Sequence, residues 1–571
     1  MSKNWIPRSD IPAEDMPRDF AAWAKQLDIS EFLSQLLWQR GLHSREAMQQ
    51  YLSPYLRQLA PLCEWPGLEE SAEVLDQGLR EGRRLAIWGD YDVDGVTSTA
   101  LVKHFLTAHG IQTLHHLPNR MREGYGMNVA GVEALYEQGA RMLLTVDCGI
   151  SDFAPVARAR ELGMLVVVSD HHLPGERLPD AHAICNPRLR ECPCPALAGV
   201  GVAFFLMCAL NTRLGTRTGH RADVRTLLDL VALGTIADVV DLAGQNRVLV
   251  KNGLLVLAEG RRVGMAALKE VSGYAAGAAV GAGQVAFGLA PRINAAGRMG
   301  RADLALDLLM SDDPEVARRL AATLDGMNEE RKNEEERIQQ AALEQAETQL
   351  GRNALVLYGE DWHSGVIGIV ASRVVEAHYR PTIILCREGE RIKGSGRSVG
   401  EFHLYDGLCR CADLFQSFGG HKLAAGLSLA PERLDEFRAR FVSVVEEAIG
   451  SEPLQAHLRV DGELGFDMAS DFTLLKELEL LQPFGMGNSE PVFASPPLLV
   501  KSRRVFARKH LKLELLDVRC GVTLHAKAWR MAAEIPPSVE GRQIRLAYSP
   551  RIDRYNGGAE VDLRIKDWKA L

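Results

Sequence analysis

The strongest constraint on the fold is a repeated unit in which a short apolar run ends in acid. It occurs as "RLAIWGD" (84–90), "MLLTVDCG" (142–149) and "MLVVVSDHH" (164–172), separated by the helix-period segments "TSTALVKHFLTAHG" and "DFAPVARARELG". Brief runs rich in Val, Leu and Ile that alternate with amphipathic segments read as buried parallel strands joined by crossover helices, which makes the region a doubly wound α/β domain. Ligands of such sheets bind outside the carboxyl ends of the strands. The pattern therefore predicts that Asp90, Asp92, Asp94, Asp147, Asp170, His171 and His172 gather along one edge.

One aspartate after a strand is ordinary, as a turn residue or helix cap. Several together raise one another's pKa and oppose folding unless they are neutralised. Divalent cations remove that penalty, and imidazole beside carboxylate suits Mn²⁺ or Mg²⁺. The stretch "DYDVDG" also matches the first half of a calcium-binding EF-hand loop, but its twelfth position is Leu101 and a strand precedes it. Neither G-x-x-x-x-G-K-[ST] nor G-x-G-x-x-G occurs at this strand end, and three acids repel phosphate unless metals intervene. The residues point to a two-metal phosphoesterase.

The 571 residues suggest three or four domains. The net charge of -8 hides an asymmetry: residues 501–571 hold 16 Lys+Arg against 8 Asp+Glu, so this segment carries +8 and the rest -16. A basic module on an acidic body favours a nucleic-acid partner at the C-terminal end. The N-terminal stretch does not read as a signal peptide and no run of about 18 apolar residues is seen, so a cytoplasmic protein with no membrane partner is expected. Ten scattered cysteines fit reduced thiols, and Cys185, Cys192 and Cys194 lack a clear fourth zinc ligand and read as a Pro-rich loop.

Five regions follow from the patterning: a helical preface (1–70), the catalytic α/β domain (71–313), a long charged helix (314–351), a second α/β domain (352–455) and a C-terminal β-barrel (456–571). Asp313 and Pro314 supply an N-cap and first residue for the long helix. In "PRINAAGR", Arg292, Asn294 and Arg298 combine small residues with guanidinium groups able to grip phosphate. In the second α/β domain Arg397 and His421 stand beside glycines that allow close backbone approach, and Ser372 and Arg373 share a helix. In the tail, Lys501, Arg503, Arg504, Arg508 and Lys509 surround Phe506, with Trp529, Tyr548 and Tyr555 in later segments; these rings serve either as stacking platforms or as barrel core.

The motifs "DYDVDG", "VDCGIS", "SDHH" and "LGTIADVVDL" resemble the four ordered motifs of the DHH phosphoesterase family, and "GSGRS" and "GGHKLAAG" resemble its companion DHHA1 substrate domain. With "APRINAAGRMG", "DWHSGVIGIVASRV", "LQPFGMGNSEPVF" and the basic tail, the chain is similar over about residues 20–571 to the single-stranded-DNA exonucleases of that family. The resemblance implies a DHH catalytic domain, a DHHA1 domain and an OB-fold barrel. It implies two divalent cations, with Asp90 and Asp92 at one, Asp94, His171 and Asp238 at the other, and Asp147 at both. His172 would contact the scissile phosphate and Asp170 would orient the histidines, whereas Asp241 falls past the motif and reads as a helix-end acid. Arg292, Asn294 and Arg298 would lie near the nucleotide path. The implied activity is 5′→3′ hydrolysis of single-stranded DNA to mononucleotides in repair and recombination, by a monomer that meets single-stranded-DNA-binding protein and a helicase. A phosphodiesterase of short oligonucleotides or cyclic dinucleotides, and a non-catalytic replication scaffold, are the competing readings.

Overall fold

The structure is a computed structural model that describes residues 3–9, 20–120, 122–124, 126–450, 452, 454–554 and 559–571. The chain divides into two compact units. The first comprises Pro17–Asn328 together with a later segment, Glu477–Glu490; the second comprises Met1–Met16, Glu329–Lys476 and Pro491–Leu571.

The centre of the first unit is a parallel sheet of β1 (Leu85–Gly89), β2 (Thr113–His116), β3 (Met142–Val146), β4 (Leu165–Ser169) and β5 (Ala183–Cys185), in the spatial order β2-β1-β3-β4-β5. Strand alternation sends Ile87, Leu144 and Val167 to one face, where they join a large core with Val96, Leu101, Phe205 and Leu206. Trp88, Leu143, Val166 and Val168 go to the other face and pack with Val132, Leu135 and Val156. Because both faces are covered, the strands are apolar at nearly every position, as their sequence shows.

Helix α1 (Val93–Ala108) follows β1, and α2 (Gly199–Thr218) packs against it. Helix α2 is long and apolar enough on average to cross a membrane, although Asn211, Thr212 and Arg213 interrupt its apolar run; 72% of its apolar window is buried in the unit, as a core helix requires. Next come α3 (Leu228–Ala237), α4 (Gly244–Glu259) and α5 (Ala290–Arg298). The preface is helical over Phe20–Leu27, Glu31–Gln39 and Arg45–Leu52, but Asn4–Pro7 is a strand in parallel register with His457–Val460 of the second unit. Four residues, one of them Pro7, carry too little periodicity to distinguish these outcomes.

Helix α6 (Pro314–Glu347) passes from one unit to the other and is capped as expected, Asp313 Oδ1 accepting the amides of Glu315 at 2.7 Å and Val316 at 3.2 Å. In the second unit a mixed sheet is built from β6 (Leu355–Gly359), β7 (Thr382–Glu388), β8 (Arg391–Arg397), β9 (Phe415–Gly420) and β10 (Ala424–Leu429), with α7 (Ile367–His378) between the parallel pair β6 and β7. The barrel comprises β11 (Leu498–Phe506), β12 (His510–Asp517), β13 (Thr523–Ala528), β14 (Gln543–Asp553) and β15 (Glu560–Ala570). Its order β11-β12-β13-β15-β14 closes on β11, and β13 runs parallel to β15, which is the connectivity of an OB fold.

Candidate metal centre

Register creates the site. Gly89, Val146 and Ser169 stand opposite one another in adjacent strands, so Asp90, Asp147 and Asp170 leave the sheet on one line, with neighbouring backbones about 4.8 Å apart. The strand order reverses direction between β1 and β3, and that switch point is where such sheets open a crevice.

Asp92 caps α1, its Oδ1 accepting the amides of Asp94 at 2.9 Å and Gly95 at 3.1 Å. Asp94 lies buried in the first turn of the helix and accepts from Gly199 N at 2.7 Å and Val200 N at 2.8 Å, at the positive end of α2. Asp147 adopts a left-handed backbone with φ of 61°, a strained conformation that aims its carboxylate into the crevice. Two glycines make room: a Cβ on Gly199 would lie 2.6 Å from Asp147 Oδ1, and one on Gly234 would lie 3.0 Å from Asp94 Oδ1.

Donor atoms of Asp90, Asp92 and Asp147 come within 4.8 Å of one another, as do those of Asp94, His171 and Asp238 and those of Asp147, His171 and His172. His171 Nε2 is 3.1 Å from Asp147 Oδ1, and its Nδ1 is 3.7 Å from Asp238 Oδ2. Asp90 Oδ1, Asp147 Oδ1, Asp238 Oδ2 and both His171 nitrogens are buried without a hydrogen-bond partner. Buried polar atoms are normally paired, so orphans converging on one crevice fit a site for cations. His171 Nε2 and Asp147 Oδ1 approach to 3.1 Å without making a hydrogen bond to each other, as two donor atoms turned toward one shared cation would.

Electrostatics agree with that fit. Burial and then the neighbouring carboxylates hold Asp90 and Asp147 well above the usual carboxylate range, and push Asp94 up to about 7 and Asp238 up to about 9. Burial, then His172, lowers His171 to about 4, so its imidazole is neutral and able to ligate. Asp170 behaves differently. Burial would raise it, but its hydrogen bond to His172 and the charge of that ring prevail, with help from backbone amides, and hold it below the ordinary value. Its Oδ1 accepts from His171 N at 2.7 Å, His172 N at 3.1 Å and His172 Nδ1 at 2.8 Å, and its Oδ2 from Ile150 N at 2.9 Å.

Further supports were not found in the sequence. Arg188 Nε donates to His171 O at 2.8 Å and Asn186 Nδ2 to His172 O at 2.9 Å, so the loop after β5 fixes the backbone of both histidines. The loop read as merely Pro-rich thus has a task, and another strand end ahead of it was the available signal. Burial raises the Cys185 and Cys194 thiols to about 12 and 11, which suits protonated thiols rather than zinc thiolates. The Arg120 guanidinium sits 5.4 Å from the Tyr91 ring centroid, beside Asp90.

The three modules match family descriptions in order: "DHH family, N-terminal domain" over residues 84–235, "DHHA1 domain" over 351–447 and "RecJ OB domain" over 460–567. The chain is 40% identical over 562 residues to the single-stranded-DNA-specific exonuclease RecJ of Dickeya dadantii, a match covering 94% of this chain and 96% of that one. It is 38% identical over 560 residues to the Escherichia coli protein of the same description, covering 94% and 96%. The chain belongs to the RecJ family. Thermus thermophilus RecJ in complex with Mn²⁺ superposes with a TM-score of 0.82 at 32% identity, covering 100% of this chain and 80% of that one. A manganese-bound exonuclease RecJ superposes at 0.58 with 38% identity, covering 68% and 96%.

The remaining candidate residues fall in several places. Helix α5 lies against the metal-site loop, where a Cβ on Gly297 would meet Tyr91 O at 2.2 Å, and it carries Asn294 and Arg298 half-buried. Arg292 is turned inward, donating to Asp325 Oδ1 at 2.8 Å, Gly288 O at 2.5 Å and Val271 O at 3.1 Å, an arrangement that ties the helix to its neighbours. In the second unit Arg397 donates to Gly396 O at 2.7 Å, and its Nη2 lies 3.2 Å from where a Cβ on Gly368 would be, so it meets the first turn of α7. Ser372 donates to Gly368 O at 3.3 Å on the same helix, Arg373 pairs with Glu376 at 3.0 Å, and His421 is exposed between β9 and β10.

In the OB barrel Lys501, Arg504, Arg508 and Lys509 are exposed, whereas Arg503 donates to the carbonyls of Ile535 and Ala532. Phe506 packs with His510 and the half-exposed Trp529 at the β11–β12 hairpin. Tyr548 is a core residue, fully buried, and Tyr555 lies outside the described residues.

Proposed function

We propose that this chain is a divalent-metal-dependent exonuclease that degrades single-stranded DNA 5′→3′ to mononucleotides in DNA repair and recombination. The observation that carries the reading is the set of unpartnered buried carboxylate and imidazole atoms at the strand ends, in a chain of the RecJ family. Asp90 and Asp92 would hold one Mn²⁺ or Mg²⁺, Asp94, His171 and Asp238 would hold a second, and Asp147 would serve both. When bound, the cations supply an acidified water and neutralise charge at phosphorus during in-line displacement. The protein supplies the rest: Asp170 holds the His172 ring toward the scissile phosphate, the α2 amides fix Asp94, and Asn294 and Arg298 grip the strand beside the metal-site loop.

The DHHA1 residues Ser372, Arg373, Arg397 and His421 and the basic OB surface hold the remainder of the polymer. The catalytic, DHHA1 and OB domains are assigned to residues 71–313, 352–455 and 456–571. The enzyme is a cytoplasmic monomer working with single-stranded-DNA-binding protein and a helicase.

Single strands labelled at the 5′ or 3′ end and incubated with Mn²⁺ or Mg²⁺ test this directly. Early release of labelled mononucleotide from the 5′ end is expected. Intact DNA in every metal would refute the enzyme, release first from the 3′ end would reverse the polarity, and turnover confined to dinucleotides would indicate a short-oligonucleotide phosphodiesterase.

A further inference from the structure

The motif "LQPFGMGNSEPVF" is not used by the chemistry above, yet most of it lies in the first unit, within Glu477–Glu490. This segment is gripped by one helix, α4. Arg247 donates to Leu481 O and Leu480 O at 3.1 Å each and to Tyr51 O at 3.0 Å, and its guanidinium carbon lies 3.8 Å from the Tyr51 ring centroid. Tyr51 donates to Leu481 O at 3.1 Å and Asn488 Oδ1 at 2.7 Å. Asn488 in turn closes the segment by donating to Leu481 O and Pro483 O.

What the segment touches is the turn just after Asp238. Leu242 N donates to Met486 O at 2.8 Å, a Cβ on Gly487 would meet the Asp241 side chain at 3.0 Å, and one on Gly485 would meet Leu242 at 2.6 Å. The same turn is also held by Asn246, the neighbour of Arg247. Asn246 is completely buried, and its Nδ2 donates to Asp241 O at 3.0 Å and Ala196 O at 2.7 Å. Ala196 lies three residues before Gly199, whose amide, with that of Val200, fixes Asp94. One side-chain amide therefore ties the turn after Asp238 to the turn that orients Asp94.

We propose that Asn246, backed by the Arg247-held segment 480–488, is a positioning residue that sets the spacing of Asp94 and Asp238 and thereby the affinity of the cation they share with His171. A carboxamide suits the task because two donor hydrogens on one nitrogen can serve two carbonyls at once. The inference rests on the two-cation reading above. Metal positions depend on such outer supports, whose loss costs ~10–100-fold in affinity or activity.

The test is Mn²⁺ binding to the full-length protein, followed by electron paramagnetic resonance, for the wild type, Asn246→Ala, Gly487→Ala and Asp147→Ala. Gly487→Ala is independent of the buried amide: its φ of 68° and the 3.0 Å approach make an added methyl press on the Asp241 side chain. Expected is a fall of about tenfold or more in the affinity of one Mn²⁺ in Asn246→Ala and Gly487→Ala. The other Mn²⁺ should change less than threefold, KM for DNA should hold, and saturating Mn²⁺ should restore kcat. Unchanged Mn²⁺ binding in Asn246→Ala, equal weakening of both ions, or a kcat loss that Mn²⁺ does not restore would overturn the proposal. If Asn246→Ala does not fold, Gly487→Ala decides alone by the same criteria. Failure of the underlying reading looks different: wild type and Asp147→Ala would then bind Mn²⁺ alike.

Discussion

Asp170 is not among the proposed ligands, yet its carboxylate accepts hydrogen bonds from Ile150, His171 and His172, including the His172 ring. Converting it to an amide removes one acceptor oxygen and the charge that favours protonated His172. Asp170→Asn should therefore lower kcat by ~10–100-fold with little change in strand binding, measured by steady-state hydrolysis and fluorescence anisotropy. Asp147→Ala should abolish turnover and leave salt-sensitive DNA binding in place, since only the catalytic crevice loses a group. Gly199 tests the steric side of the same site. Its φ is unremarkable, but a methyl there would fall 2.6 Å from Asp147 Oδ1, so Gly199→Ala should weaken Mn²⁺ binding measured by calorimetry while α2 still forms.

Among the elements, the barrel differs from the parallel sheet in how it meets a ligand. The sheet concentrates acid at one edge through register, and its strands are buried on both faces. The OB barrel instead spreads exposed Arg504, Arg508 and Lys509 along β11 and its hairpin, beside Phe506 and Trp529. Charge spread along a surface contributes through counterion release. Replacing those three residues by Ala should flatten the plot of log affinity against log salt for single-stranded DNA by ~0.7 for each phosphate they no longer neutralise, measured by titration at several salt concentrations. An unchanged slope would remove this face from the DNA path. Aromatic content alone could not have separated the rings. Tyr548 alternates into the core and its hydroxyl donates to Leu464 O at 2.8 Å, whereas Trp529 sits past a strand end where the pleat no longer dictates its side.

For the molecule as a whole, metal and pH are linked. Asp94 at about 7 and Asp238 at about 9 lie above the value of about 3.9 for a free aspartate, so the metal-free folded chain holds protons that the unfolded chain has released. Stability contributed by these groups is therefore greatest near pH 4 and falls as the pH rises toward 9. Cations favour the ionised form and oppose that fall. The difference in Tm between Mg²⁺ and EDTA should widen from pH 5 to pH 9 in calorimetric scans. Truncation also reads differently at this scale. Removing residues 456–571 takes away Glu477–Glu490, which packs in the catalytic unit, so loss of activity in such a truncation would not isolate the role of the barrel. The charge replacements on β11 and its hairpin avoid that confusion.

The sheet, the long helix and the barrel are legible in the residues alone, because strand alternation, caps and apolar runs are local signals. The sequence also brought Asp90, Asp92, Asp94, Asp147, His171, His172 and Asp238 into consideration, since the acids and histidines cluster at strand ends or in an ordered motif. Tertiary structure decided what the same local letters could not. Arg292 and Arg298 share one helix and one motif, but Arg292 is consumed by the carbonyls of Gly288 and Val271, residues whose position depends on helix packing. Asn186, Arg188 and Asn246 act through carbonyls distant in sequence, and a backbone carbonyl leaves no trace in the identity of the residue that bears it.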